Sequence, residues 1–288
     1  MTDNMNIQWY PGHMTKTRRQ IEADLKLVDA VCEIVDARIP VSSRNPDIDA
    51  ICGDKPRMIV LNRMDLADPA ATKKWAEYFR RKGMAVIATD CKSKKGISAF
   101  TPAARLACAE KLERDAKRGM NRPLRVMVVG IPNVGKSTLI NQISGRKSAK
   151  AENRPGVTRG KQWVTVDSGL QLLDTPGILW PKFEDPEVGM MLAYTGAVKE
   201  GVIDLEELAY RLMELLHKFY PQTLLERYKV EAPEETPGWQ LLEMAGRKRG
   251  YLVSGGEVNT ERMAKVLLDE FRSGKLGNFT LEMPEDMV

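Results

Sequence analysis

Gly130-Ile131-Pro132-Asn133-Val134-Gly135-Lys136-Ser137 is the stretch from which the rest of the chain can be read. An apolar run, Leu124 to Val129, precedes it and reads as a buried parallel strand. A helical pattern from Ser137 to Ile143, closed near Gly145, follows it. The eight residues fit G-x-x-x-x-G-K-[ST], the phosphate loop, in the strand-to-helix context that gives the motif its meaning. The glycines let the backbone curl until successive N–H groups face an anion, and the helix N-terminus adds partial positive charge. Lys136 is placed to reach the β- and γ-phosphates and Ser137 to ligate Mg²⁺, with Asn133, Val134, Gly135 and Thr138 in the same cradle. A glycine-rich turn by itself is usually only a turn. The full pattern between strand and helix points to a bound nucleoside triphosphate.

Outward from this loop the chain alternates between two periods. Strands are expected at Val31 to Val35, Met58 to Leu61 and Ala85 to Ala88, and a hairpin at Gln162 to Val166 and Leu170 to Leu173. Between them, Ile21, Leu25 and Val28 mark a helix, and Asp68 with Pro69 opens another that stops at Gly83. One long helix is expected from about Ser98 to a linker at Gly119 to Pro123, carrying Lys111, Arg114, Lys117 and Arg118. Six strands alternating with helices predict an α/β fold built on a doubly wound, mostly parallel sheet over residues 1–180. From Asp185 the pattern becomes helical. Asp204 and Glu207 resemble a capping box ahead of Leu205, Leu208, Leu212 and Leu215, and Met263, Val266, Leu267 and Phe271 stripe a last helix. Residues 181–288 therefore read as an α-helical second domain.

Bulk composition narrows the class. A chain of 288 residues, 43% hydrophobic and 29% charged, is expected to be soluble and globular. Met1 to Gln8 carries no apolar signal segment, and no stretch approaches eighteen apolar residues, so neither export nor a membrane is expected. Four cysteines without C-x-x-C spacing give no zinc site and no disulfide framework, which fits a reducing cytoplasm. The net charge of +5 is unevenly spread: residues 181–288 hold 13 Lys/Arg against 20 Asp/Glu, leaving 31 against 19 in the first 180. A basic half beside an acidic one points either to a polyanionic partner or to a solvated lysine-rich face. Within the acidic half the basic residues gather at Arg247-Lys248-Arg249, a candidate RNA contact and equally a dipole-favoured helix end.

Two further segments select the base. Asp174-Thr175-Pro176-Gly177 follows a hydrophobic strand, where Asp174 would hold magnesium and the Gly177 N–H would meet the γ-phosphate. Asn62-Arg63-Met64-Asp65, at a strand end, matches the guanine motif N-K-x-D. There Asp65 accepts from the base N1–H and amine, Asn62 steadies the loop, and the stem of Arg63 replaces lysine over the base. Thr89-Asp90-Cys91 fits the weaker fifth motif, whose backbone supports the base carbonyl. These guanine motifs precede the phosphate loop, whereas an ordinary GTPase has them after it. A site needs strand ends adjacent in space, not consecutive in sequence, so the order reads as a circular permutation.

Trp9-Tyr10-Pro11-Gly12-His13-Met14, Asp36-Ala37-Arg38-Ile39-Pro40, Gly130 to Thr138, Arg154 to Thr158 and Asp174 to Lys182 together carry a resemblance over nearly the whole chain. The sequence is similar to the circularly permuted GTPases of bacterial ribosome biogenesis. That resemblance implies GTP and Mg²⁺ as cofactors and a precursor of the large ribosomal subunit as partner. It also implies a C-terminal RNA-binding-like helical domain and a protein taken here as a monomer. It places Thr158 in the second motif, as a magnesium ligand and part of the catalytic set with Lys136. Asn133 within G-x-x-N-x-G-K-S is shared with potassium-activated GTPases, which implies K⁺ beside the phosphates. Ile178 stands where many GTPases have a water-orienting Gln, so slow turnover is expected from the isolated protein. His13 is the candidate to replace that function, an imidazole that can accept or donate near neutral pH; His217, inside an apolar stripe, reads as structural. The competing expectation is a GTP-dependent RNA-binding module in which hydrolysis is incidental.

Overall fold

Six strands form one sheet in the order β3-β2-β1-β4-β6-β5. They are β1 (Ala30–Asp36), β2 (Arg57–Asn62), β3 (Ala85–Thr89), β4 (Leu124–Val129), β5 (Gln162–Asp167) and β6 (Leu170–Asp174). The structure is a computed structural model, and it describes residues 19, 21–145, 162–175, 185–198 and 204–287. All neighbouring strands run parallel except the β5–β6 hairpin. β1 is buried over its whole length, so apolar residues stand on both its faces, with Glu33 and Asp36 as buried charged exceptions. The expected six-stranded, mostly parallel sheet is the one observed.

Register aligns the carboxyl ends of the strands. Asp36 pairs with Asn62, Asn62 with Thr89, and Val128 with Asp174. The order reverses between β1 and β4, so the phosphate loop leaves β4 at the switch point, where a doubly wound sheet opens a crevice. One sheet face carries two apolar clusters. The first joins Val31, Met127, Val129 and Leu173 with Ile21, Leu25 and Ile48. The second joins Val35, Ile59 and Leu61 with Trp75 and Phe79. Between them lies Glu33, 2% exposed, whose carboxylate accepts from Arg44 (2.9 Å) and Arg57 (2.8 Å).

Helix starts follow the side chains that satisfy their first amides. Asp68 caps α2 (Pro69–Arg81) by accepting from Ala70 and Ala71 N–H, with Pro69 fixing the first turn. A short helix the sequence did not announce, α1 (Ile48–Cys52), precedes it. The single long helix expected after Ser98 is two: α3 (Phe100–Ala107) and α4 (Ala109–Lys117), broken at Cys108. α3 lays Phe100, Ala103 and Ala104 inward while α4 buries nothing, so the break turns the chain off the sheet. α5 (Lys136–Ser144) follows the phosphate loop and ends at the left-handed Gly145.

The chain divides into two units. One gathers the described residues up to Thr175 together with Glu282–Met287; the other holds those from 185 to 281. The helical region expected over 181–288 thus yields its last residues to the sheet-containing unit. The second unit comprises α6 (Pro186–Tyr194), α7 (Leu205–Phe219), α8 (Pro221–Tyr228), α9 (Gly238–Lys248) and α10 (Thr260–Ser273). Asp204 caps α7, as expected, but Glu207 pairs with Arg211 rather than completing a box. Leu208 and Leu212 of the expected stripe are buried, joined by Ala209, Met213 and Leu216, while Leu205 and Leu215 at its ends are half-buried. α9 crosses α7 at Gly238, where a Cβ would lie 2.0 Å from the Tyr210 carbonyl, and Glu214 accepts from the Gly238 N–H.

Candidate functional site

The site grows from Asn62, 3% exposed at the end of β2. Its Nδ2 donates to the Val134 carbonyl of the phosphate loop at 2.7 Å. Its Oδ1 accepts from Thr89 Oγ1 at 3.1 Å and from the Cys91 N–H at 3.3 Å. One side chain therefore holds the guanine loop, the phosphate loop and the fifth motif together. The Met64 N–H reaches the Thr89 carbonyl at 3.1 Å and reinforces the same junction. Beside it, Arg63 donates from Nη2 to the Asn133 carbonyl at 2.7 Å. Arg63 thus ties two loops by its guanidinium, beyond the packing role expected of its stem. Asp65 is solvent-exposed at the loop tip, and Asp90 accepts from the Lys92 N–H at 2.8 Å in the turn after β3.

The phosphate loop needs its glycine for a measurable reason. Gly135 has φ +103°, and a Cβ there would lie 2.4 Å from Asn62 Nδ2. Asn133 sits at φ +61°, a left-handed conformation that asparagine tolerates better than most residues. Gly135, which has no side chain, is the N-cap of α5, where Lys136 and the half-buried Ser137 and Thr138 begin the helix. Lys136 Nζ and Asp174 Oδ1 are 2.5 Å apart, at 6% and 2% exposure. Thr175 Oγ1 donates to the Val128 carbonyl at 2.8 Å and fixes the start of the D-T-P-G segment against β4.

These residues fit a magnesium-bound nucleoside triphosphate. The lysine offers a cation for phosphate oxygens, Ser137 and Asp174 offer hard oxygens, and the glycine loop offers amides. Among the described residues no group of three or more His, Cys, Asp or Glu could hold a metal unaided. His13, Thr158 and Gly177 lie outside the described residues, as do Ile178 and the W-Y-P-G-H-M and R-P-G-V-T segments. His217 is structural: its Nε2 meets the Pro233 carbonyl at 2.9 Å.

Sequence reasoning left the D-A-R-I-P turn without a role. Asp36 and Arg38 form a bidentate pair, 3.0 and 2.8 Å, at 3% and 0% exposure. The Ala37 N–H donates to the Asn62 carbonyl at 2.8 Å, so this turn is part of the site's frame. A buried acid–base pair at a strand end was the available signal.

A glycine loop at the switch point of a parallel sheet, facing an aspartate from the next strand and tied to an N-x-x-D loop, defines a P-loop GTPase. Its guanine motifs come first in the chain, which makes it a circularly permuted one. The family model described as 50S ribosome-binding GTPase matches residues 125–225. Ribosome biogenesis GTPase A of Priestia megaterium is 46% identical over 98% of this chain and 98% of its own. The protein of that name from Thermotoga maritima is 34% identical over 98% and 96%. Among solved structures, GDP-bound YlqF aligns with a TM-score of 0.67 at 30% identity, covering 93% of this chain and 100% of that one. GNP-bound YlqF from T. maritima aligns at 0.64, covering 94% and 99%. The chain belongs to the ribosome biogenesis GTPase A family. Membership brings GTP as the nucleotide, with Mg²⁺ as its usual companion.

Proposed function

We propose that this protein is a GTP-hydrolysing switch for late assembly of the large ribosomal subunit, slow alone and accelerated by the particle it serves. The observation that carries the reading is the Asn62 junction, which ties base recognition to the phosphate loop through one buried side chain. Asp65 reads guanine, Lys136 holds the triphosphate, and Ser137, Asp174 and Thr158 serve Mg²⁺. Asn133 is assigned a K⁺ ion that supplies positive charge beside the phosphates. His13 is assigned the placement of water that Ile178 cannot perform. No helix among the described residues is long and apolar enough to cross a membrane. The working location is the cytoplasm, with the protein acting as a monomer on ribosomal RNA. The names of the relatives support the ribosomal partner.

The test is GTP turnover with purified protein, with and without large-subunit precursors, in K⁺ and in Na⁺ buffer. Acceleration by the particle and loss of rate in Na⁺ are expected. His13→Ala is expected to keep GTP affinity and lose the acceleration. An unchanged rate on adding particles, with binding still dependent on GTP, would leave a GTP-gated RNA-binding module instead.

A further inference from the structure

We propose that the Asp36-Ala37-Arg38 turn is a positioning device for the phosphate loop, with Glu282 of the C-terminal tail as its anchor. Glu282 fixes the turn, Asp36 aims Arg63, and Arg63 holds the Asn133 carbonyl. This rests on the nucleotide-binding reading above and extends it to residues that reading does not use.

Each link is a contact. The Glu282 carboxylate accepts from the Val41 N–H at 2.6 Å and the Ser42 N–H at 3.0 Å. Its own carbonyl accepts from Trp75 Nε1 at 2.8 Å, and Lys74 pairs with Glu285 at 2.8 Å, so the tail is seated on α2. The segment it caps leads directly to Ser43, whose Oγ donates to the Ile39 carbonyl at 2.6 Å and accepts the Asp36 N–H at 2.9 Å. Asp36 Oδ2 lies 2.8 Å from Arg38 Nη2 and 3.6 Å from Arg63 Nη1. Arg63 Nη2 completes the path on the Asn133 carbonyl at 2.7 Å.

Three physical features separate this chain from ordinary packing. Arg63 adopts φ +61°, a left-handed conformation that is unfavourable for a non-glycine residue and persists only where its contacts impose it. Its planar fork hydrogen-bonds the Asn133 carbonyl with Nη2 while Nη1 stays within ion-pair range of Asp36, a fixed spacing that the single compact ammonium of the motif's usual lysine does not provide. The Asp36–Arg38 pair is almost wholly buried, a costly arrangement that an apolar pair of similar size would match in stability. Burial alone would raise the Asp36 carboxyl; Arg38 and Arg63 outweigh it and keep the group below the ordinary carboxylate range.

Dissociation of fluorescently labelled GDP from the full chain tests the proposal, beside thermal unfolding of each variant. Arg63→Ala is expected to speed release about tenfold and Glu282→Gln about fivefold, because each loosens the same carbonyl. The double variant should then release GDP no faster than Arg63→Ala alone, and Arg63→Lys should fall between that variant and the parent. Independent structural roles would instead multiply the two factors, and that result overturns the proposal. So does a Glu282→Gln protein that melts earlier yet releases GDP at the parent rate. Should Arg63→Ala fail to fold, Arg63→Lys with Glu282→Gln carries the same comparison. A parent chain that does not bind GDP would refute the nucleotide reading itself, a separate result.

Discussion

Asn62 and Asp65 lie three residues apart and are expected to fail in different ways when changed. Asp65 is exposed at the loop tip, so Asp65→Asn should act chiefly on the base contact. An amide replaces an acceptor with a donor, and binding is expected to move from GTP toward xanthosine triphosphate. Asn62→Ala removes a buried side chain and takes a partner from the Val134 carbonyl, Thr89 Oγ1 and the Cys91 N–H together. With each lost contact worth on the order of 1 kcal/mol, up to roughly 3 kcal/mol is lost from the ordered junction that GTP requires, and its affinity is expected to fall by up to about 100-fold. Xanthosine triphosphate should weaken equally. Competition binding with the two nucleotides distinguishes the cases, and a selective effect in Asn62→Ala would refute the junction.

At the scale of elements, Glu270 of α10 joins three of its neighbours. It accepts from Arg227 Nε at 2.9 Å and Tyr228 OH at 2.8 Å on α8, with Arg249 after α9 at 3.5 Å. The Arg227 hydrogen bonds, helped by Tyr228, hold its carboxyl below the ordinary value of 4.5, against some desolvation. A depressed folded value means stability present above pH 4.5 and lost as pH falls through the folded value. Glu270→Gln should flatten that acid limb of the unfolding curve; an equally steep limb in the variant would place the loss elsewhere. The same group shows where sequence stops. β2 was legible because Met58 to Leu61 is unbroken and apolar, β1 because β-branched residues surround the single Glu33, and the caps at Asp68 and Asp204 because the signal is three residues wide. The N-x-x-D and phosphate-loop motifs are local in the same way, and the structure brings the two segments together at Asn62. α1 is five residues long, too short to show a period, and Cys108 breaks a helix whose pattern runs on through it. Glu282 meets Ser42 across 240 residues, a pairing no local pattern encodes.

At the scale of the molecule, the acidic helical unit has few places to meet RNA. Of Arg247-Lys248-Arg249, the last is spoken for: it pairs with Glu270 and lies over the Tyr228 ring at 5.2 Å. Among the described residues Arg247 pairs with Glu243 on the surface of its own helix, and Lys248 is exposed. Arg247→Glu with Lys248→Glu is therefore expected to weaken cosedimentation with large-subunit particles while the melting temperature stays at the parent value. Unaltered cosedimentation would move the RNA contact to the basic first 180 residues. The sheet's strand order has a last consequence, for synthesis. β1, β2 and β3 are contiguous in space and come off the ribosome first, so Asn62, Thr89 and Cys91 can meet while the phosphate loop is still untranslated. The nascent chain completes the part that reads the base before it has made the part that holds the phosphates, and only the arrival of β4 turns a finished scaffold into a nucleotide site.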